Sequence, residues 1–263
     1  MHKKLLVADI GNTQIVFGLF EGKQLLTHWR LSSERQLTPD ELAWQLHGMF
    51  EQSKQAADQI DGIMVASVVP HLDSALADAC ERICGKRPVF VGSSDVKTGM
   101  AVDYKNPREV GADRIVNAIA AREMFTAPVI VLDCGTATTF DIVSPQGHYA
   151  GGLILPGIEI ALAALSARAA KLPEVSIQRS QTLIGRDTIT SIQSGSYWAA
   201  IDGISGLIKR LRNEPGYQHA PVIATGGLIP LLINDLPDIA HHLPHLTLTG
   251  LHLLAEKHFL TQT

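Results

Sequence analysis

The strongest constraint on the fold is a pattern that occurs twice, at residues 5–20 (LLVADIGNTQIVFGLF) and at residues 129–143 (VIVLDCGTATTFDIV). Each copy is an apolar run that ends in an Asp, followed by a tight turn with Gly and Thr and by a second apolar run. Two apolar runs joined by a short turn of this kind are typical of a β-hairpin. The repetition predicts a chain built from two related halves, each with such a hairpin.

The two turns also indicate phosphate binding. Gly11 and Gly135 lack the Cβ atom that keeps a ligand away from backbone N–H groups. Short hydrogen-bonding side chains follow in both turns, at Asn12, Thr13, Thr136 and Thr138. Because the carboxylates of Asp9 and Asp133 would repel a phosphate, we expect Mg²⁺ or another hard cation between carboxylate and phosphate. For either copy alone, an ordinary Asp-Gly hairpin without a ligand stays an open alternative.

Composition and charge exclude several classes of function. The chain has 263 residues, 46% hydrophobic and 18% charged, and no apolar run approaches the roughly 18 residues of a membrane span. The short apolar run after Lys4 passes directly into the first hairpin, so we expect no export signal. A net charge of −4 without a basic block argues against a nucleic-acid partner. Three cysteines without a CxxC pair fit a reducing cytosol, and we expect a cytoplasmic protein.

Further elements repeat in the same order in both halves. Strand patterns occur at residues 24–31, 62–69, 88–91, 148–155 and 222–225. Helix patterns occur at residues 38–53, 72–83, 108–125, from 157 onward and at 187–211. At the end of the chain the sequence favours a strand at residues 246–249 and a helix at residues 251–259. This order predicts an α/β fold of two domains with the same topology, residues 1–117 and 118–263, and a cleft between them.

The long helix predicted at residues 187–211 contains three glycines, Gly195, Gly203 and Gly206. Each costs up to about 1 kcal/mol relative to Ala inside a helix. We expect close approach of another element to explain them.

Residues 111–114 (GADR) place an acid and an arginine side by side near the start of a predicted helix. One interpretation of Asp113 is a favourable charge at the helix N-terminus, worth about 0.3–1 kcal/mol. The other is a functional carboxylate, because the long irregular stretch at residues 92–107 leads into this helix and long loops are often functional. The spacing alone leaves both interpretations open.

Several motifs resemble known families. Three are similar to the phosphate and adenosine motifs of the actin, Hsp70 and sugar-kinase superfamily, namely DIGNT (9–13), DCGTATTFD (133–141) and TGG (225–227). Four more resemble the type III pantothenate kinases, namely SVVP (67–70), YKNPREVGADR (104–114), GGLILPG (151–157) and IGRDTITSIQSG (184–195). The resemblance covers almost the entire chain. It implies two ribonuclease-H-like domains, each a mixed five-stranded sheet with helices, and a nucleotide cleft between the domains.

The resemblance implies an activity, which is transfer of the ATP γ-phosphate to the primary hydroxyl of pantothenate, the first step of coenzyme A biosynthesis. It assigns ATP binding to Asp9, Ile10, Gly11, Asn12, Thr13, Gln14, Ile15, Val16 and Thr136. It assigns the pantothenate pocket to Tyr104, Gly111, Ala112, Asp113, Arg114 and Thr188. In this assignment Asp9 acts through Mg²⁺ and Asp113 is the proton acceptor.

The resemblance also implies a monovalent cation, K⁺ or NH₄⁺, bound by Asp133, and a homodimer in which the helix at residues 187–211 forms part of the contact. Two alternatives remain at this point. The first is another phosphotransferase of the superfamily, such as a sugar kinase or an exopolyphosphatase, because the two turns do not fix the acceptor. The second is a non-catalytic transcriptional regulator on the same fold.

Overall fold

The computed structural model describes residues 3–33 and 36–260. Within these residues the ten strands are β1 (Lys4–Ile10), β2 (Gln14–Glu21), β3 (Gln24–Ser32), β4 (Gly62–Ser67), β5 (Val89–Phe90), β6 (Val129–Cys134), β7 (Ala137–Val143), β8 (Tyr149–Pro156), β9 (Val222–Thr225) and β10 (Ile239–His242). The described ranges also contain seven α-helices, which are α1 (Pro39–Gln52), α2 (Pro70–Cys84), α3 (Ala112–Met124), α4 (Ile158–Arg168), α5 (Thr188–Asn213), α6 (Ile229–Leu232) and α7 (Leu246–Leu260).

Contacts between residues divide the chain into two compact units. The first contains the chain up to Met100, Lys105–Ala120 and the segment from Leu246 onward. The second contains Ala101–Tyr104 and Ala121–His245. The predicted division of the sequence into residues 1–117 and 118–263 stays a prediction. The contacts place α7 in the first unit, because this helix packs against β1 and β4.

The first unit is built on a five-stranded mixed sheet in the order β3-β2-β1-β4-β5. Its central strand β1 pairs antiparallel with β2 and parallel with β4. The middle of β1, from Leu5 to Ala8, is completely buried, since the sheet continues on both sides of it and α7 packs against it. A strand covered in this way has a continuous apolar sequence, as LLVA does.

The start of α1 follows directly from its sequence. Thr38 Oγ1 accepts a hydrogen bond from Glu41 N (3.3 Å), and Glu41 Oε2 accepts one from Thr38 N (2.8 Å). This is a reciprocal capping box, with Pro39 at the first helical position. The predicted helix start is therefore confirmed.

The second unit repeats the arrangement in a five-stranded sheet of order β10-β9-β6-β7-β8. Its central strand β6 pairs antiparallel with β7 and parallel with β9, as β1 does with β2 and β4. The prediction of two mixed five-stranded sheets with the same topology is confirmed. Among the described residues, no helix has both the length and the apolar character needed to cross a bilayer.

One expectation about a single element is wrong, and a second is not met by contacts within the described chain. Residues 246–249 are not a strand but the first turn of α7, and the last strand is β10, four residues earlier than that turn. No other element among the described residues approaches the glycines of α5, because a Cβ atom placed on Gly195, Gly203 or Gly206 meets nothing within 4 Å.

His252 on α7 is buried in the first unit, with 4% of its surface exposed. Its ring stacks on Phe20 with centroids 4.1 Å apart. Neither ring nitrogen has a hydrogen-bond partner among the described residues, although Nε2 lies 3.6 Å from Glu256 Oε2. Burial lowers the pKa of His252 and outweighs the opposite effect of the Glu256 charge. The folded protein therefore favours the neutral imidazole.

This environment predicts that the protein loses stability on acidification. An unfolded histidine has a pKa of about 6.5, so below that pH the unfolded state binds a proton that the folded state resists. The free energy of unfolding should fall by up to about 1.4 kcal/mol per pH unit between pH 6.5 and the lowered folded-state pKa. His252→Phe, which keeps an aromatic ring against Phe20, should flatten this dependence in denaturant titrations at pH 7, 6 and 5. An unchanged slope in His252→Phe, or an equal flattening in a control His47→Gln at an exposed histidine, would contradict the assignment.

Candidate functional site

The first predicted phosphate turn is the hairpin between β1 and β2. Gly11 N donates a hydrogen bond to Gln14 O (2.9 Å), which closes the turn. Asn12, Thr13 and Gln14 are exposed, whereas Ile10 and Ile15 are buried and pair with each other. The apolar members of the stretch therefore anchor the hairpin in the sheet, and the polar members face outward where a ligand can reach them.

The segment with Asp113 lies close to this turn within the first unit. The link is Val68, which follows β4 and whose N–H donates to Ile10 O (3.0 Å). A Cβ atom on Gly111 would lie 3.6 Å from Val68 Cγ1. Because Val68 contacts both segments, the structure brings Gly111–Arg114 to the edge of the sheet at which β1 ends in Asp9 and Ile10.

Asp113 is held by the start of α3. Its Oδ1 accepts a hydrogen bond from Arg114 N (2.9 Å), and a Cβ atom on Gly111 would come within 2.5 Å of the same oxygen. Gly at position 111 is therefore required for this carboxylate position. Burial raises the pKa of Asp113, while the backbone N–H and the positive charge of Arg114 oppose that rise. A carboxylate with a raised pKa is a stronger base than an ordinary one once it is ionised.

The second predicted turn, between β6 and β7, is supported from two sides within the second unit. Gly135 N donates to Ala137 O (3.0 Å) and closes the turn. Gly157, just before α4, lies against it so closely that a Cβ atom there would be 2.2 Å from Thr136 O. Gly226 has a φ of +99°, and a Cβ atom on it would be 2.5 Å from Asp133 Oδ1. Both contacts require glycine.

Asp9 is the carboxylate that the first turn offers to a cation. In the part of the chain that the structure describes, no three His, Cys, Asp or Glu residues are grouped to hold a metal ion alone. Mg²⁺ in phosphate-transfer sites is commonly held by one or two carboxylates plus phosphate oxygens and water. Asp9, half-buried at the end of β1 beside an exposed turn, offers one such carboxylate.

The remaining predicted residues, Tyr104 and Thr188, belong to the second unit. Tyr104 lies beside Gly151 of β8, 3.8 Å from the position of a Cβ atom there, and its ring centroid is 6.4 Å from that of Tyr149. Thr188 is the first residue of α5 and lines an open surface depression of about 800 Å³, here called the Thr188 cavity. Within this unit Tyr104 therefore lies beside β8, whereas Thr188 lies at the start of α5.

Comparison with known proteins identifies the family. The family model described as type III pantothenate kinase matches residues 5–210. The chain belongs to the type III pantothenate kinase family. Two curated members are the type III pantothenate kinases of Moorella thermoacetica, 45% identical over 96% of this chain and 99% of the relative, and of an Exiguobacterium strain, 42% identical over 96% and 98%.

Solved structures of distant proteins share the fold. The activator of 2-hydroxyisocaproyl-CoA dehydratase from Clostridium difficile, with bound ADPNP, has a TM-score of 0.58 at 12% identity and covers 98% of this chain and 95% of its own. A ROK family transcriptional regulator, a homolog of the E. coli MLC protein, has a TM-score of 0.51 at 12% identity, covering 98% and 79%. Because proteins with such different names share it, the fold alone does not select a function, and the family match does.

Two glycines that shape the second turn lie in recognised motifs but are not among the predicted site residues. Gly157 ends the motif GGLILPG, and a glycine that directly precedes a predicted helix is a signal of close packing. Gly226 belongs to the TGG motif at residues 225–227, which does not indicate the segment that packs on it. The structure shows a close approach to Asp133 at Gly226, whereas Gly227 faces open space.

Proposed function

We propose that this member of the type III pantothenate kinase family transfers the γ-phosphate of ATP to the primary hydroxyl of pantothenate. One observation carries the proposal beyond the family match: the Asp113 carboxylate is held at the same sheet edge as the turn between β1 and β2. A phosphate-binding turn and a positioned base at one edge are the two parts that transfer to an alcohol requires.

The residues around ATP act by position and charge. Asp9 would hold Mg²⁺, which neutralises charge on the phosphates, and the residues Ile10 to Val16 would supply backbone N–H groups and short side chains to them. Thr136 of the second turn would contact ATP. Neither turn contains a lysine, so cations and backbone N–H groups must supply the positive charge that a phosphoryl transfer needs.

Asp113 would accept the proton of the primary hydroxyl. As the new O–P bond forms, the bond between the γ-phosphorus and the β–γ bridging oxygen breaks, ADP leaves, and the hydroxyl proton moves to the carboxylate. An alcohol is too weakly acidic to ionise freely at neutral pH, so such assistance is worth about 10²–10⁴-fold in rate.

The residues that the family resemblance assigns to the acceptor pocket are Tyr104, Gly111, Ala112, Asp113, Arg114 and Thr188. Pantothenate carries hydroxyl, amide and carboxylate groups, which match hydroxyl, backbone N–H and guanidinium donors. Arg114 is 9% exposed and contributes a buried positive charge next to Asp113.

The first experiment measures ADP formation by the purified protein with Mg²⁺, ATP and pantothenate, in K⁺, NH₄⁺ or Na⁺ salts. We expect pantothenate-dependent turnover with K⁺ or NH₄⁺ and much less with Na⁺, because Asp133 would hold a monovalent cation of the larger size. Asp133→Asn should remove the difference between the salts. Turnover that does not depend on pantothenate would contradict the proposed acceptor, and equal turnover in all three salts would contradict the role of Asp133.

The second experiment replaces the proposed base. Asp113→Asn should lower turnover by at least about 10²-fold and leave binding of Mg·ATP unchanged. Because burial raises the pKa of Asp113, the acid limb of the wild-type pH–rate profile should lie above the ordinary Asp value of about 3.9 and disappear in the variant. Glu109→Gln is the control, an exposed carboxylate in the preceding turn. Near wild-type turnover in Asp113→Asn would leave this residue only its role at the helix N-terminus.

We also propose a homodimer with α5 in the contact. One face of α5 is exposed and made of small residues, Ser191, Gly195, Ala199 and Gly203. Exposed apolar side chains lie nearby in the sequence, Leu183 with 71% and Ile184 with 79% of its surface accessible. A second copy that packs closely on this face would cover them and account for the glycines. Sedimentation velocity tests this, and a mass of one chain at all micromolar concentrations would contradict it.

We also propose a cytoplasmic location. Cys80, Cys84 and Cys134 are free thiols and buried, which is the usual state of cysteine in a reducing compartment.

A further inference from the structure

The segment at residues 169–187, here called the strap, connects α4 to α5 without a helix or strand of its own. A connection of this length without regular structure is often functional when it is ordered. The polar side chains that hold the strap to the rest of the second unit include Arg179 of the strap itself, Gln193 and Ser194 of α5, and Asp235 after α6, which Tyr197 of α5 supports.

The first contacts come from two polar side chains of α5 that are almost completely buried. Ser194, 1% exposed, donates its hydroxyl to Leu183 O at 2.6 Å, with Thr182 O at 3.2 Å. Gln193 Nε2 donates to Ser176 O at 3.3 Å. Backbone carbonyls of the strap therefore receive hydrogen bonds from the helix, which fixes the position of an otherwise irregular segment.

The second contact is an ion pair with two hydrogen bonds. Arg179 Nε lies 2.7 Å from Asp235 Oδ2, and Nη2 lies 2.8 Å from Oδ1. The buried Tyr197 donates its hydroxyl to Asp235 Oδ2 at 2.5 Å. The hydrogen bonds from Arg179 and Tyr197 lower the pKa of Asp235 to about 2, so the carboxylate stays ionised at any pH at which the protein is used. A two-pronged pair fixes direction as well as distance.

The strap ends at the cavity that contains Thr188. Its last residues pack tightly on the helix start, because a Cβ atom on Gly185 would lie 2.3 Å from Ser191 N, and Arg186 N donates to Thr190 Oγ1 at 3.1 Å. Leu172, Gly185 and Arg186 of the strap line the cavity together with Thr188 and Ser191. The position of the strap thus sets the shape of this cavity.

We propose that Arg179, Asp235 and Ser194 are positioning residues that hold the strap on α5 and on the segment after α6, and thereby set the affinity of the Thr188 cavity for the phosphate acceptor. The inference rests on the proposed function, in which Thr188 belongs to the acceptor pocket. None of the three residues lines the cavity, so each acts through the strap and not by contact with the acceptor.

The test separates acceptor binding from catalysis. Arg179→Ala and Ser194→Ala should each raise the KM for pantothenate by about tenfold, while kcat and the KM for ATP change by less than about twofold. Arg179→Lys keeps the charge but not the two-pronged geometry and should recover part of the affinity.

Two matched controls lie in the same unit. Arg212→Ala breaks a comparable ion pair, with Asp238 at 2.5 Å, at the other end of α5. Ser205→Ala removes a half-buried hydroxyl from the same helix. Both should leave the KM for pantothenate unchanged, whatever they do to thermal stability. Equal changes in KM in Arg179→Ala and Arg212→Ala, or equal losses in kcat and affinity for both substrates, would overturn the proposal.

A second measurement distinguishes failure of the strap contact from failure of the proposed function. Amide hydrogen exchange of residues 185–191 should be faster in Arg179→Ala than in wild type and unchanged in Arg212→Ala. If the wild-type protein forms no ADP with pantothenate, the acceptor is wrong and the part of this inference that concerns affinity is overturned with it. Unchanged exchange in Arg179→Ala overturns the strap contact itself, independently of the acceptor.

Discussion

The site depends on central strands that are hydrogen-bonded on both sides. In the first unit β1 pairs with β2 and β4, and in the second β6 pairs with β7 and β9. A strand in that position has its backbone N–H and C=O groups paired on both sides, so a shift by one residue would break hydrogen bonds to two neighbouring strands at once. Asp9 and Asp133 are therefore fixed where each strand ends, and the turns that follow begin from a rigid position.

Much of the fold could be predicted because the decisive signals are local. The two hairpins are visible as apolar runs around a turn, and the start of α1 carries a reciprocal capping pair at Thr38 and Glu41. The end of the chain shows where local signals fail. Leu246 and Leu248 alternate with threonine as in a strand, yet their burial continues helically through Leu251, Leu254 and Ala255. The preceding strand β10 is partly exposed and ends in two histidines, so it has no clear strand pattern.

The candidate site likewise has a part that could be predicted from the sequence and a part that could not. Asp9, Gly11 and Asp113 follow from motifs that are contiguous in the sequence. The contacts of Gly157 with the Thr136 carbonyl and of Gly226 with Asp133 join segments far apart in the chain, as does the ion pair between Arg179 and Asp235. A single sequence contains no information on which distant partner such a residue meets, so these contacts needed the structure.

The two interpretations of Asp113 turn out to be compatible. The start of α3 that gives a carboxylate a favourable charge environment also supplies the N–H of Arg114, which fixes Oδ1 and favours the ionised form. Burial acts in the opposite direction and dominates, so the carboxylate is more basic than an exposed one. A base needs both properties, since it must be ionised before the reaction and must bind the proton during it. Glycine at position 111 makes this balance possible, because a Cβ atom there would lie only 2.5 Å from the carboxylate oxygen Oδ1 of Asp113.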